Sequence, residues 1–92
     1  MLLQQLQDEY KEALKKKDKL KKEILNFVIA QIKNKQIDSQ SELTDDDIIK
    51  ILKKEIKTRE ESIVFIEKSG DEQALENEQA KISFLEKHLP EQ

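Results

Sequence analysis

Apolar residues recur at helical spacing along four stretches of the chain, which are separated by short polar connections. The longest stretch spans residues 45–69. Six of its side chains alternate three and four residues apart: Ile49, Leu52, Ile56, Arg59, Ile63 and Ile66, all of them apolar except Arg59. This spacing places the side chains on one narrow face of an α-helix, and such a face must be buried against a neighbour. The pattern therefore predicts one long helix around which the other stretches are arranged.

Both ends of this helix are indicated by the sequence. The Thr44 hydroxyl can accept a hydrogen bond from a first-turn N–H, and Asp47 lies three residues on, as in a capping box. Asp45 and Asp46 add negative charge at the positive end of the helix dipole. Gly70, the only glycine, follows where a left-handed C-terminal residue is expected. We predict a helix over residues 45–69.

Three further helices are predicted, over residues 2–17, 19–36 and 72–88. Asp18 and Asp71 are placed to cap the second and fourth, and Pro90 stops the fourth. The second is apolar around about half its circumference, so it should touch two neighbours. The predicted inward residues are Leu3, Leu6, Tyr10, Ala13 and Leu14 in the first helix; Leu20, Ile24, Leu25, Phe27, Val28, Ile29 and Ile32 in the second; and Leu75, Glu78, Ile82, Leu85 and Leu89 in the fourth.

Composition agrees with this interpretation. The 92 residues are 40% charged and only 4% aromatic, a balance typical of a helical bundle and unlike a sheet protein. This length predicts a single domain over residues 1–92. There is no cysteine, no signal-peptide pattern and no apolar run of membrane-spanning length. We therefore expect an all-α four-helix bundle in a cytoplasmic protein with no membrane contact.

Arg59, the only arginine, falls among the aliphatic residues of the third helix. The third and fourth helices are joined by about two residues and should run antiparallel. That register brings Glu78 within one helical turn of Arg59. An interior arginine without a partner is costly, so we predict a structural ion pair between Arg59 and Glu78.

The sequence offers little for catalysis. It has one histidine, one tyrosine and no cysteine, and it contains neither a phosphate-binding glycine-rich loop nor a nucleophile elbow. His88 is expected in the last helical turn, where a positive charge interacts favourably with the dipole. Adjacent acids such as Glu60 and Glu61 diverge on a helix and make poor metal or acid–base pairs. We predict no catalytic residue, no metal and no cofactor.

Positive charge is concentrated in the first third of the chain. Residues 1–35 contain nine lysines and five acids, for a net charge of +4, whereas the remainder carries −7. Lysine clusters bind phosphates by releasing counterions, although charged runs on helices are more often only solvated. The candidate RNA-binding residues are Lys15, Lys16, Lys17, Lys19, Lys21 and Lys22 between the first two helices, and Lys50, Lys53, Lys54 and Lys57 on the third.

Short motifs along the chain, taken in order, resemble the pattern of the YqeY-like family. This family is related to the tail region of the B subunit of tRNA-dependent amidotransferases. The family pattern has a lysine–aspartate pair at the first turn, LTD before the third helix, K/R-E-x-K-x-R-x-x-S within it, a glycine at its end and a closing L-P-x-Q. The matching residues are Lys17, Asp18, Leu43, Thr44, Asp45, Lys54, Glu55, Lys57, Arg59, Ser62, Gly70, Leu89, Pro90 and Gln92.

The sequence departs from this pattern at Asn26, Ile66 and Asp71, where the family usually has an arginine, an aromatic and a basic residue. Family members also continue into a smaller C-terminal helical domain, which we expect to be absent here. In the amidotransferase, the tail region is the part that approaches tRNA. Any glutamine-dependent carbon–nitrogen ligase activity would be a label inherited from that enzyme.

The resemblance implies a non-catalytic accessory module associated with tRNA or tRNA-dependent amidation, with tRNA or an amidotransferase subunit as partner. The alternative is a helical interaction bundle with no RNA role. Phe65 and Phe84 lie outside the apolar faces of their helices. They either pack on the first two helices or form an interface for the absent domain or for a second copy of the chain, and in the last case we expect a homodimer through Phe65 and Phe84.

Overall fold

A computed structural model describes residues 1–90 of the chain. Four helices are present: α1 (Leu2–Lys16), α2 (Lys19–Ser39), α3 (Asp45–Ser69) and α4 (Glu72–Glu86). No strand occurs within the described residues. The predicted all-α fold with four helices is confirmed and is consistent with the four-helix bundle class. The predicted bounds of α3 are correct, whereas α2 continues to Ser39 and α4 ends at Glu86.

The chain divides into two compact units, and the division falls inside α3, between Ile51 and Leu52. The first unit contains α1, α2 and the start of α3, and the second contains the rest of α3 and α4. Within residues 1–90, no helix is both long enough and apolar enough to cross a lipid bilayer.

The first unit is organised by a tight corner between α1 and α2. Lys17 adopts a left-handed conformation with φ of 56°, and the Asp18 N–H donates to the Ala13 carbonyl at 2.9 Å. Asp18 then caps α2 by accepting a hydrogen bond from the Lys21 N–H. So short a connection returns α2 along α1, and the two helices are in contact. The fully buried side chains of this unit are Leu6, Ile24, Leu25, Val28, Ile32 and Ile48.

The start of α3 is fixed by reciprocal hydrogen bonds. The Asp47 N–H donates to Thr44 Oγ1 at 3.2 Å, and the Thr44 N–H donates to Asp47 Oδ2 at 3.1 Å. This confirms the predicted capping box. The bond from the Thr44 backbone lowers the pKa of Asp47, with smaller contributions from the Thr44 side chain, Lys50 and Lys35. Asp45 connects α3 to α1 because its Oδ1 accepts from the Leu2 N–H at 3.1 Å.

The predicted inward face of α3 was wrong by one residue at its N-terminal end. Ile48, Leu52 and Ile56 are buried, whereas Ile49 is only half-buried. One residue rotates a helix by about 100°, so this face also includes position 55, where Glu55 is buried. A spacing of three and four residues is compatible both with a face that contains Ile49 and with a face that contains Ile48, so the spacing alone could not decide which of them is buried.

Phe27 of α2 was predicted to face inward, but 46% of it is exposed. The buried arc of this helix is centred near Val28 and Ile32, and Phe27 lies beyond its edge. In α1, Leu14 is likewise exposed while Leu2 is buried. The extent of an apolar face therefore overestimates how much of each helix is covered.

The junction between α3 and α4 agrees with the sequence prediction. Gly70 has φ of +76°, a conformation that disfavours residues with a Cβ atom. Asp71 follows and caps α4 by accepting a hydrogen bond from the Ala74 N–H at 3.0 Å. Gln40, at the end of α2, has a similar φ of 54° but is not a glycine.

This contrast provides a matched pair of substitutions. Gly70→Ala should lower the free energy of unfolding by about 1 kcal/mol, because an L-residue is strained at this φ although no atom would clash with the new Cβ. Gln40→Gly should raise it by roughly 0.5 kcal/mol, because relief of strain exceeds the entropy cost. Urea denaturation measures both changes. If both substitutions changed the free energy of unfolding in the same direction, strain of the left-handed conformation would not explain the effects.

The α3 cap predicts a pH dependence. A carboxylate whose folded-state pKa is lowered stabilises the protein fully when the pH is above the ordinary pKa of about 4. It loses this contribution as the pH falls through the folded-state pKa. The stability difference between wild type and Asp47→Asn should therefore shrink as the pH is lowered from about 5 to about 2. Repeating the comparison in a Thr44→Ala background is the control, because the difference should already be smaller at neutral pH. An unchanged difference across the range would contradict the prediction.

Candidate functional site

A network of charged side chains lies in the second unit, where α3 faces α4. Arg59 projects from α3, and its side chain is only 15% exposed. Its Nη1 donates to both Oε1 and Oε2 of Glu78, each at 3.0 Å. Its Nε lies 2.7 Å from Oε1 of Glu55, one turn earlier on α3. The guanidinium therefore bridges two carboxylates, one from each helix.

This network balances its own charge. Glu55 and Glu78 have side-chain exposures of 9% and 19%, so leaving either carboxylate without a cation would be costly. Lys81 adds a second positive charge, with its Nζ 3.9 Å from Oε1 of Glu78. Two acids and two bases therefore form a compensated cluster, in which both carboxylates are held by the guanidinium.

The Arg59–Glu78 contact is the one that the helix register predicted from the sequence. The role of Glu55 was missed, since the sequence had marked it only as part of a motif. Its position could have indicated this role, because it lies four residues before Arg59 and follows Ile48 and Leu52 on the same face. An acidic residue in an apolar face, one turn before an arginine, is a recognisable signal for a buried pair.

The motif residues around Arg59 separate into inward and outward positions. Glu55 and Arg59 point inward, whereas Lys54 and Lys57 are exposed. The Ser62 hydroxyl donates to the Thr58 carbonyl at 3.1 Å, so it serves the helix itself. Gly70 ends α3, and Pro90 is exposed beyond α4. Gln92, the last residue of the motif, lies outside the described residues.

The predicted RNA-binding lysines are all exposed. Six of them lie around the α1–α2 corner, and we call Lys15, Lys16, Lys17, Lys19, Lys21 and Lys22 the corner lysines. Lys16 lies 3.5 Å from Glu12, and Lys21 lies 4.0 Å from Asp18. Within residues 1–90 the other four form no ion pair. The corner therefore carries uncompensated positive charge in water.

The lysines of α3 are also directed to solvent. Lys50 lies in the first unit and contributes to the lowered pKa of Asp47. Lys53, Lys54 and Lys57 lie in the second unit, where all three are exposed. Such side chains supply charge for a phosphate backbone but little geometric selection, because an ammonium group is a point charge.

The two remaining candidate residues differ in their surroundings. Phe65 on α3 is 72% exposed. Phe84 on α4 is half-buried, and its ring meets the His88 ring edge-on at a centroid distance of 4.9 Å. His88 Nδ1 lies 2.9 Å from the Phe84 carbonyl oxygen, so the imidazole packs at the end of α4. Within residues 1–90, no group of three or more His, Cys, Asp or Glu side chains is arranged to hold a metal ion.

Substitution of Arg59 tests the network. Arg59→Ala should lower the free energy of unfolding by about 3 kcal/mol, because two largely buried carboxylates lose their guanidinium. Removing the charges together, with Arg59→Met, Glu55→Leu and Glu78→Leu, should recover most of this loss. Denaturant unfolding of these variants and of the exposed control Lys57→Ala measures the effect. An Arg59→Ala variant as stable as Lys57→Ala would show that the network contributes little.

The model of the Yqey-like protein family matches residues 3–92, which is nearly the whole chain. No match is found among curated proteins. The matched region includes the buried network, the α3 motif and the corner lysines. The chain therefore belongs to the YqeY-like family.

Proposed function

We propose that this protein is a non-catalytic accessory module that contacts tRNA in connection with tRNA-dependent amidation. The observation that carries the proposal is the uncompensated charge of the corner lysines on an exposed turn of the first unit. Membership of the YqeY-like family supports the link to tRNA, through the resemblance to the amidotransferase tail. In this proposal the chain acts as a single helical domain in the cytoplasm.

The chemistry of the corner favours the phosphate backbone as the ligand. Lysines bind phosphates without reading base identity, and their affinity comes mainly from counterion release. The left-handed turn at Lys17 brings lysines from the end of α1 and the start of α2 to one corner. Lys50, Lys53, Lys54 and Lys57 supply further exposed charge along α3. The proposed contact therefore recognises the charge and shape of RNA.

The buried network supports an accessory role. General acid–base catalysis needs a carboxyl group that can reach a reacting proton, and Glu55 and Glu78 are both held by Arg59. We therefore assign amide transfer, and any glutamine-dependent carbon–nitrogen ligase activity, to a partner amidotransferase. The network's part is to hold α3 and α4 together.

A salt series with tRNA tests this function. The association constant should fall steeply between about 50 and 200 mM salt. Replacing Lys19 and Lys22 by Gln should weaken binding and reduce the slope of log K against log salt by up to about 2. The matched control replaces Lys33 and Lys87 by Gln, which removes the same charge outside the candidate residues. Binding that is absent, insensitive to salt or equally weakened by the control would reject the proposal.

The second candidate function is a protein-interaction bundle with no RNA role. It is favoured by Val64 and Phe65, which are 52% and 72% exposed on α3. The homodimer expected through Phe65 and Phe84 is one form of this function, with Phe65 the more accessible of the two rings. Failure to retain tRNA at any salt concentration, together with self-association of the purified chain, would favour this candidate.

A further inference from the structure

We propose that the C-terminal half of α3 carries a self-complementary docking site for a second copy of this chain, arranged antiparallel. The site consists of Glu61, Val64, Phe65 and Lys68, which we call the α3 patch. This proposal specifies the partner and register of the interaction function above, and it is independent of RNA binding.

The α3 patch is an exposed apolar centre between opposite charges. Val64 and Phe65 are the exposed large apolar residues of the second unit, with accessible fractions of 52% and 72%. Glu61 precedes them by about one helical turn, and Lys68 follows by about one turn, so all four share one face. Glu61 and Lys68 are both exposed, and neither forms an ion pair within residues 1–90.

The order of these residues is suited to two-fold pairing. In an antiparallel pair of α3 helices, Val64 can lie opposite Phe65 of the second copy, and by symmetry Phe65 then lies opposite Val64. The same register brings Glu61, three residues before Val64, opposite Lys68, three residues after Phe65. A two-fold axis makes each contact twice, so two apolar contacts are flanked by two opposite-charge contacts.

The neighbouring acids are compatible with this register. Glu60 comes opposite Ser69 of the second copy, and Glu67 comes opposite Ser62, so no two acids meet. A parallel arrangement would instead place Glu61 against Glu61 and Lys68 against Lys68. Like charges in contact are unfavourable, so charge complementarity selects the antiparallel pair.

The expected association is weak. One helix-to-helix patch lies at the low end of protein interface size, so we expect a dimer only at about 0.1 mM protein and above. Phe65→Ser should abolish the dimer and leave the melting temperature nearly unchanged, because the ring is already in water. A large fall in the melting temperature would mean that Phe65 is part of a core, and would overturn the proposal.

Charge reversal is the decisive experiment. Glu61→Lys and Lys68→Glu, made separately, each convert both charge contacts to repulsion and should weaken dimerisation by about tenfold or more. The double variant restores both contacts with reversed polarity and should dimerise like the wild type. An equimolar mixture of the two single variants should also associate, because one copy then presents only lysines and the other only glutamates.

Sedimentation equilibrium over a concentration series, with circular dichroism to verify folding, distinguishes the outcomes. Recovery in both the double variant and the mixture supports the antiparallel site. Single variants that dimerise as well as the wild type, or a wild type that remains monomeric at about 1 mM, would overturn it. Since none of these substitutions touches the corner lysines, loss of tRNA retention would refute the proposed function without affecting this result.

Discussion

The contact between α3 and α4 depends on a guanidinium that must be neutralised where little water reaches it. Arg59 satisfies this constraint with Glu55 from its own helix and Glu78 from the next. A buried ion pair often contributes less stability than an apolar contact of the same size, but its loss is expensive because the remaining charge is unpaired. The network therefore restricts α3 and α4 to the one register in which the guanidinium meets both carboxylates. Sliding α4 by one turn would leave charged groups on the buried side.

The same α3 segment serves two purposes through helical periodicity. The residues of its motif lie on two different faces of the helix, so that Glu55 and Arg59 maintain the structure while Lys54 and Lys57 are exposed to water. A motif of this kind appears chemically uniform in the sequence, although its charged residues perform unrelated tasks. The candidate RNA contact and the structural network are therefore separable by mutation.

The fold is also shaped by how its helices end. Left-handed residues close α1, α2 and α3, but only α3 uses the glycine that this conformation favours. At the α1–α2 corner the position is occupied by Lys17, which places another positive charge on an exposed turn. The candidate RNA-binding surface therefore contains one residue, Lys17, with a strained backbone conformation.

The sequence by itself determined the four helices, the N-terminal caps of α2, α3 and α4, and one of the two carboxylate partners of Arg59. These features depend on short-range chemistry: Thr44 and Asp47 lie in one turn, and the link at Gly70 is too short for any but an antiparallel return. Tertiary structure decided which arc of each helix is buried. Ile48 and Glu55 are buried whereas Ile49 is only half-buried, and Phe27 and Phe65 are exposed to water, Phe65 the more so. Periodicity restricts an apolar residue to a sector of the helix, but only the position of neighbouring helices decides whether that sector is covered.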